Sequence, residues 1–166
     1  MASDLHNDYI YAGDEDHGAD RIAIVVAKWH PEITGKLHDD CVAQLNQYAV
    51  ERIERFDAPG SYELPYIANL LASENLYDAI IVFGVVIQGE TKHDDYINHA
   101  IAQRLMDVSM KHQIPVVLGV LTVNTLEQAI ERSGGTRGHK GRECAIAALE
   151  LIDLTREIKE SYTSPR

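Results

Sequence analysis

The sequence contains little cysteine. Its 166 residues include only Cys41 and Cys144, and neither belongs to a Cys-x-x-Cys pair or another metal-ligand spacing. Cys144 falls in an alanine-rich helical stretch, where a thiol behaves as a small apolar side chain. We therefore predict reduced, buried thiols rather than a disulfide or a cysteine nucleophile.

Positive charge is also scarce. The chain has 15 Lys+Arg against 26 Asp+Glu, a net charge of -11, which argues against nonspecific binding to nucleic acid or to a membrane surface. No apolar run approaches the roughly 20 residues of a membrane-spanning helix, and the N-terminal stretch does not resemble a secretory signal. We expect a cytoplasmic protein with neither a nucleic-acid nor a membrane partner, in which a local basic cluster holds any bound anion.

Several catalytic motifs are missing. The sequence has no His-Glu-x-x-His, no Gly-x-Gly-x-x-Gly after a strand and no Gly-x-Ser-x-Gly. His93 and His99 are six residues apart, so on a helix they point to different faces. We predict no metal site.

What is present is a repeated alternation of short β-branched runs with longer amphipathic runs. It predicts strands at 21–27, 50–56, 79–87 and 115–122, with helices at 33–48, 61–73, from about Thr91 with apolar positions between 97 and 108, from about 125 and at 141–158. Such alternation gives a parallel sheet covered by helices on both faces. The predicted fold is a flavodoxin-like three-layer α/β/α sandwich with a four-stranded parallel sheet.

The predicted domain organisation is simple. A chain of this length with 45% hydrophobic residues suits one domain with a sizeable core. We assign residues 1–20 to a flexible N-terminal arm, 21–158 to the domain and 159–166 to a C-terminal tail.

In such folds, function lies at the carboxyl ends of the strands. Three segments there carry unusual chemistry: 28–30, 59–63 and 88–95. In the third, Thr91 with Asp94 matches a helix start, and the free N–H groups of Glu90 and Thr91 would form an anion cradle beside His93. A solvated first-turn histidine fits this segment equally well.

A second signal lies at residues 132–142, where four of the 15 Lys+Arg residues and His139 fall in one glycine-rich stretch. This clustering suits phosphate binding, although a solvated basic loop is the commoner case and the P-loop pattern is absent. Trp29, the only tryptophan, directly follows a predicted strand end. It suits stacking on a flat ring, with a core or interface role as the alternative.

Taken in order, the segments PGSYELP, GVVIQGETKHDDYI, PVVLGVLT, and QAIERSGG followed by HKGRECAIAALE resemble the motifs of the lumazine synthase family. The resemblance runs from about residue 21 to 154. It implies condensation of 5-amino-6-ribitylaminouracil with 3,4-dihydroxy-2-butanone 4-phosphate to 6,7-dimethyl-8-ribityllumazine, phosphate and water, the penultimate step of riboflavin biosynthesis. No cofactor is expected.

The resemblance also implies roles for individual residues. His93 matches the proton-transfer residue. The implied pyrimidine and ribityl contacts are Trp29, Ser61, Tyr62, Glu63, Val86, Ile87 and Leu118; the implied phosphate contacts are Glu90, Thr91 and Arg132; Lys140 and Glu143 match supporting positions.

Family members form pentamers or hollow sixty-subunit shells with the site between subunits. The resemblance therefore implies a homo-oligomer whose Arg132 serves a neighbouring site, with riboflavin synthase as a further partner. Three positions depart from the family pattern: Gln88, Asp94 and Leu118. They leave open a riboflavin synthase paralogue of the pentameric type, or a non-catalytic shell protein that binds lumazine or flavin.

Overall fold

Four parallel strands form the central sheet of the computed structural model, which describes residues 11–13 and 16–163. They are β1 (Arg21–Ala27), β2 (Arg52–Ala58), β3 (Ala79–Ile87) and β4 (Val116–Val123), arranged in the order β2-β1-β3-β4. The nearly continuous apolar sequences of β1 and β3 place these strands at the centre, as expected for strands buried on both faces. The predicted parallel sheet is confirmed.

Helices cover both faces of the sheet. They are α1 (Pro31–Asn46), α2 (Leu64–Ser73), α3 (His93–His112), α4 (Leu126–Arg132) and α5 (Lys140–Thr163). Apolar residues of α1, α4 and α5 pack on one face in a core that includes Ile22, Ile24 and Val26 of β1. Those of α2 and α3 pack on the other face with Ala23, Val25 and Ala27. The three-layer sandwich is therefore confirmed.

Some predicted boundaries differ from the observed ones. β2 begins two residues later than predicted, because the N–H of Val50 donates to the carbonyl of Leu45 and closes the end of α1. The helix predicted from residue 61 begins at Leu64, after a single 3-10 turn at Ser61–Glu63. The stretch predicted as a break after α4 forms a small antiparallel hairpin, β5 (Ser133–Gly135) and β6 (Gly138–His139).

The described residues before β1 pack against the domain. Tyr11 and His17 are buried, and the Tyr11 hydroxyl donates to Asp153 of α5 while lying 2.7 Å from His17 Nε2. His17 Nδ1 lies 2.6 Å from Asp20 Oδ2, and Arg156 of α5 pairs with the same carboxylate. This part of the predicted arm is thus tied to α5, whereas residues 1–10 and 14–15 lie outside the described residues.

Candidate active site

The first wall of the candidate site lies just past the carboxyl end of β1. The N–H of Lys28 donates to the carbonyl of Ala58 at 2.9 Å, which extends the pairing with β2 by one residue. Trp29 follows with 70% of its surface exposed, although an indole normally gains by burial. His30 then reverses the chain into α1 with φ 55° and ψ 59°, a left-handed conformation.

The turn after β2 brings a second predicted residue to Trp29. Gly60 has room for no more than a small group: a Cβ there would lie 3.1 Å from Glu63 Oε2 and 3.7 Å from Trp29 Cδ1 and Nε1. The indole edge and the carboxylate therefore converge on one point, and Tyr62 is also largely exposed. An exposed aromatic ring can stack on a flat ring while the neighbouring carboxylate accepts hydrogen bonds from hydroxyl groups.

Ser61 faces away from that open space. It is buried, and its hydroxyl donates to the carbonyl of Val85 in β3 at 3.3 Å. Gly84 permits this approach, since a Cβ at Gly84 would lie 2.5 Å from Ser61 Oγ. Ser61 thus fastens the Trp29–Glu63 wall to the strand that carries Val86 and Ile87, both half-buried.

The third wall is the loop from β3 into α3. The N–H of Gln88 donates to the carbonyl of Val123 at 2.8 Å, after which Glu90, Thr91 and His93 are all exposed. The predicted Thr91–Asp94 cap is wrong. The helix begins at His93 with Lys92 as its N-cap, so Thr91 lies one residue too early to cap it, and the Lys92 side chain makes no capping hydrogen bond to the described chain.

This helix start leaves its first amides available. The first N–H groups of a helix have no partner within the helix, and its positive end favours an anion. Asp94 and Asp95 occupy the same first turn and compete for that favourable field. Because the His93 side chain forms no hydrogen bond or ion pair with another described residue, its imidazole is available to a ligand.

The remaining predicted residues are held on the other side of the sheet. Arg132 ends α4, is exposed, and pairs with none of the described carboxylates, whereas Arg137 pairs with Glu131 at 3.2 Å. Lys140 Nζ lies 3.3 Å from Glu143 Oε2 in the first turn of α5. Lys140 and Glu143 therefore form an ion pair with each other, and the Arg132 guanidinium has no ion-pair partner among the described residues.

Glycines fix the hairpin between α4 and α5 against α1. Gly134 has φ 128°, and a Cβ there would lie 2.8 Å from Lys36 Nζ, whose ammonium pairs with Asp40. At Gly141 a Cβ would lie 2.2 Å from the carbonyl oxygen of Leu37. The positions of Arg132 and Lys140 are thus determined by the packing of α1, α4 and α5.

His93 and Arg132 belong to helices of opposite layers, since His93 starts α3 and Arg132 ends α4. Leu118, on edge strand β4, lies apart from both residues and is 41% exposed. It lines a groove of about 290 Å³ whose other lining residues are Asn98, His99, Ile101, Ala102, Val120 and Thr122.

The described residues contain no metal-ligand cluster, and both thiols are buried. Within residues 11–13 and 16–163, no three His, Cys, Asp or Glu side chains are grouped so as to hold a metal ion. Burial raises the pKa of the Cys144 thiol to about 12 and also raises that of Cys41, so both are poor nucleophiles near neutrality.

None of the helices within the described residues combines the length and apolarity needed to cross a bilayer.

Residues 28–30 and 59–63 were predicted as walls of the site, but neither His30 nor Gly60 was given an individual role, and neither was Gly84. The roles of the two glycines follow from close approaches that only three-dimensional packing reveals. A positive φ at a histidine has no sequence signature, so the conformation of His30 could not be predicted.

Comparison with known proteins adds independent information. The sequence matches the family described as 6,7-dimethyl-8-ribityllumazine synthase over residues 19–156. Proteins named 6,7-dimethyl-8-ribityllumazine synthase from Yersinia pestis (strain Pestoides F) and Yersinia pseudotuberculosis serotype O:1b (strain IP 31758) are each 42% identical over 142 residues, covering 84% of this chain and 91% of their own. A de novo designed Rossmann fold protein aligns with a TM-score of 0.38 at 12% identity, over 70% of this chain and 98% of its own, which is too weak a likeness to bear on fold or function.

Proposed function

The chain belongs to the 6,7-dimethyl-8-ribityllumazine synthase family, and from this premise we propose that it condenses 5-amino-6-ribitylaminouracil with 3,4-dihydroxy-2-butanone 4-phosphate. The products are 6,7-dimethyl-8-ribityllumazine, inorganic phosphate and water. The observation that carries the proposal to particular residues is the convergence of Trp29 and Glu63 beside Gly60, at the strand end next to the loop that bears His93.

The first substrate binds at the Trp29 wall. Trp29 lies three residues beyond Val26, and Val86 lies three beyond Phe83, the partner of Val26 in the sheet, so the indole and the end of β3 reach the same level. A pyrimidine ring would stack on Trp29 and contact Val86 and Ile87. The ribityl hydroxyl groups would donate to Glu63, with Tyr62 and the Ser61 segment alongside.

The phosphate of the second substrate binds at the start of α3. Amide groups around Glu90 and Thr91 would donate to it at the positive end of the helix, while the Glu90 carboxylate points to solvent. Arg132 supplies the opposing cation, for which a bidentate guanidinium is well suited. Lys140 and Glu143 hold the neighbouring chain segment in place.

Each step of the reaction moves protons. The aromatic amine attacks the ketone, and the carbinolamine loses water. Phosphate is then eliminated to leave an enol, which tautomerises to a second carbonyl, and the ribityl-bearing nitrogen closes the ring on that carbonyl with loss of water. In this proposal His93 accepts and donates protons in turn. Alignment of the two substrates supplies a large further part of the rate enhancement.

Residues in opposite layers support a site shared by two subunits, with His93 from one and Arg132 from the next. Exposed apolar side chains on α3 and β4, namely Tyr96, Met106, Met110 and Leu118, provide surface for such an association. We therefore propose a pentamer, in which the groove beside Leu118 is covered by a neighbour, and further assembly into a shell that can hold riboflavin synthase.

The activity test mixes the protein with both substrates and follows lumazine absorbance together with phosphate release. Both signals are expected in equal amounts. The absence of both signals above the uncatalysed background would refute the enzymatic proposal. If the protein instead forms riboflavin when it is supplied with lumazine alone, it is a riboflavin synthase.

A complementation experiment tests the shared site. His93→Ala and Arg132→Ala proteins, dissociated and reassembled together, should regain about a quarter of the wild-type rate, because in a ring one interface in four joins an intact His93 to an intact Arg132. The matched control reassembles Arg132→Ala with the double variant and should regain nothing. Light scattering on the same samples should give fivefold or sixtyfold multiples of the 18.5 kDa chain.

A further inference from the structure

His30 adopts a backbone conformation that its sequence neighbours disfavour. Its φ of 55° is left-handed, which is strained for a residue with a Cβ, and Pro31 normally pushes the preceding residue to an extended conformation. Capping does not explain the choice, because the His30 side chain makes no capping hydrogen bond to α1 in the described structure. Strain of this kind tends to persist at functional sites.

Hydrogen bonds on both sides hold this conformation in place. The His30 carbonyl accepts from the N–H groups of Ile33 at 2.9 Å and Thr34 at 3.0 Å, and from the Thr34 hydroxyl at 3.3 Å. On the other side, the N–H of Lys28 is bound to Ala58 of β2. Trp29 is therefore the single residue between two anchored neighbours, and the chain reversal at His30 sets its direction.

We propose that His30 is a positioning residue for the reaction: its left-handed backbone turns the exposed indole of Trp29 toward Gly60 and Glu63, where the pyrimidine binds. This deepens the proposed function and rests on it for the identity of the substrate. An extended residue 30 would continue the direction of β1, and the indole would no longer lie 3.7 Å from the Cβ position of Gly60. The backbone of His30, rather than its imidazole, does the positioning.

Substitutions that differ in their tolerance of a left-handed backbone distinguish a role of the His30 backbone from a role of its imidazole. Glycine and asparagine accept this conformation, whereas a β-branched residue resists it. The variants are His30→Gly, His30→Asn, His30→Ala and His30→Val. Gln113→Val is the matched control, because Gln113 also has a positive φ, 52°, but caps the far end of α3.

Trp29 reports its own position, since it is the only tryptophan in the chain. In His30→Gly and His30→Asn, the emission maximum and acrylamide quenching should match wild type, and the KM for the pyrimidine should stay within about twofold. In His30→Val both fluorescence measures should change and that KM should rise roughly tenfold, the scale of a lost aromatic stack, with the KM for the phosphorylated substrate unchanged. Gln113→Val should change neither.

Three results would overturn the proposal. The first is that fluorescence and KM in His30→Val equal those of Gln113→Val. The second is that His30→Gly and His30→Asn change the fluorescence and the KM as much as His30→Val does, which would assign the effect to the imidazole. If His30→Val does not fold, His30→Ala must show a smaller change in the same direction, and wild-type behaviour of His30→Ala would be the third. Because the fluorescence needs no turnover, failure of the proposed function would appear separately, as absent lumazine in the wild-type protein.

Discussion

Replacing Gly84 with alanine tests whether the approach of β3 to the Ser61 turn shapes the site. The added methyl group would lie 2.5 Å from Ser61 Oγ and 3.1 Å from Leu64 Cδ1, and both residues are buried. Overpacking of this kind costs about 1–3 kcal/mol. Loss of the Ser61–Val85 hydrogen bond adds about 1 kcal/mol, so Gly84→Ala should destabilise the protein by roughly 2–4 kcal/mol.

The control is another glycine-to-alanine change without a clash. Gly35 lies within α1, and a Cβ there would meet nothing within 4 Å, so Gly35→Ala should be neutral or should stabilise the protein by up to about 1 kcal/mol. Urea unfolding of the two variants measures the contrast. Activity should separate them as well, because displacing the Ser61 turn moves Glu63 and raises the KM for the pyrimidine.

A second substitution makes the test specific to the contact. Ser61→Ala removes the atom nearest to the added methyl group. The double variant Gly84→Ala, Ser61→Ala should therefore lose about 1 kcal/mol less stability than the two single variants lose together. Additive effects, or equal urea midpoints for Gly84→Ala and Gly35→Ala, would refute the reasoning.

Three further predictions concern proton transfer and phosphate, the thiols, and a helix cap. His93→Ala should lower kcat by roughly 10–100-fold without abolishing turnover, whereas Arg132→Ala should raise the KM for the phosphorylated substrate by roughly a hundredfold. The control Arg137→Ala, which removes an arginine paired with Glu131, should change neither kcat nor that KM. Near-normal turnover of Arg132→Ala at a low concentration of the phosphorylated substrate would contradict the assignment of Arg132. Because the pKa of Cys144 is raised to about 12, the folded state retains a proton that the unfolded state loses above pH 9. The free energy of unfolding should therefore fall by up to about 1.4 kcal/mol per pH unit above pH 9. In urea titrations, Cys144→Ala should make this fall of stability with pH less steep. Thr125→Ala should cost about 1 kcal/mol in the same assay, since the Thr125 hydroxyl accepts from the N–H of Gln128, and an unchanged midpoint would count against the cap.

The elements that the sequence predicted well are those whose pattern is local. The apolar runs of β1 and β3 and the helical periodicity of α3 require no knowledge of the rest of the chain. The start of α4 near residue 125 was also predicted correctly, and there the N–H of Gln128 donates to the Thr125 hydroxyl within one turn. The similar pattern at Thr91 failed, because the loop after β3 continues to Lys92 before the helix begins.

Site residues divide in the same way. Trp29 and His93 were predicted as site residues partly from their side-chain chemistry, whereas the role of Glu63 came from the resemblance to the family. Ser61 was named as part of a binding segment, yet its hydroxyl is directed into the fold by a carbonyl on β3, a contact that spans 24 residues. The structural requirement at Gly84 could not be predicted for the same reason, since the residue against which it packs is distant in sequence.

The distribution of the predicted residues between two layers has a consequence for how the site can be built. The proposed phosphate site combines the start of α3 with the cation of Arg132, which ends α4 in the opposite layer. Gly134 of the hairpin and Gly141 of α5 lie close against α1, and a rearrangement that freed Gly141 would lose its contact with the carbonyl of buried Leu37. A second copy can instead present Arg132 with no change of fold. In the proposed pentamer, association would complete the site, and we therefore expect activity to be lost when the subunits are separated even though each keeps its structure.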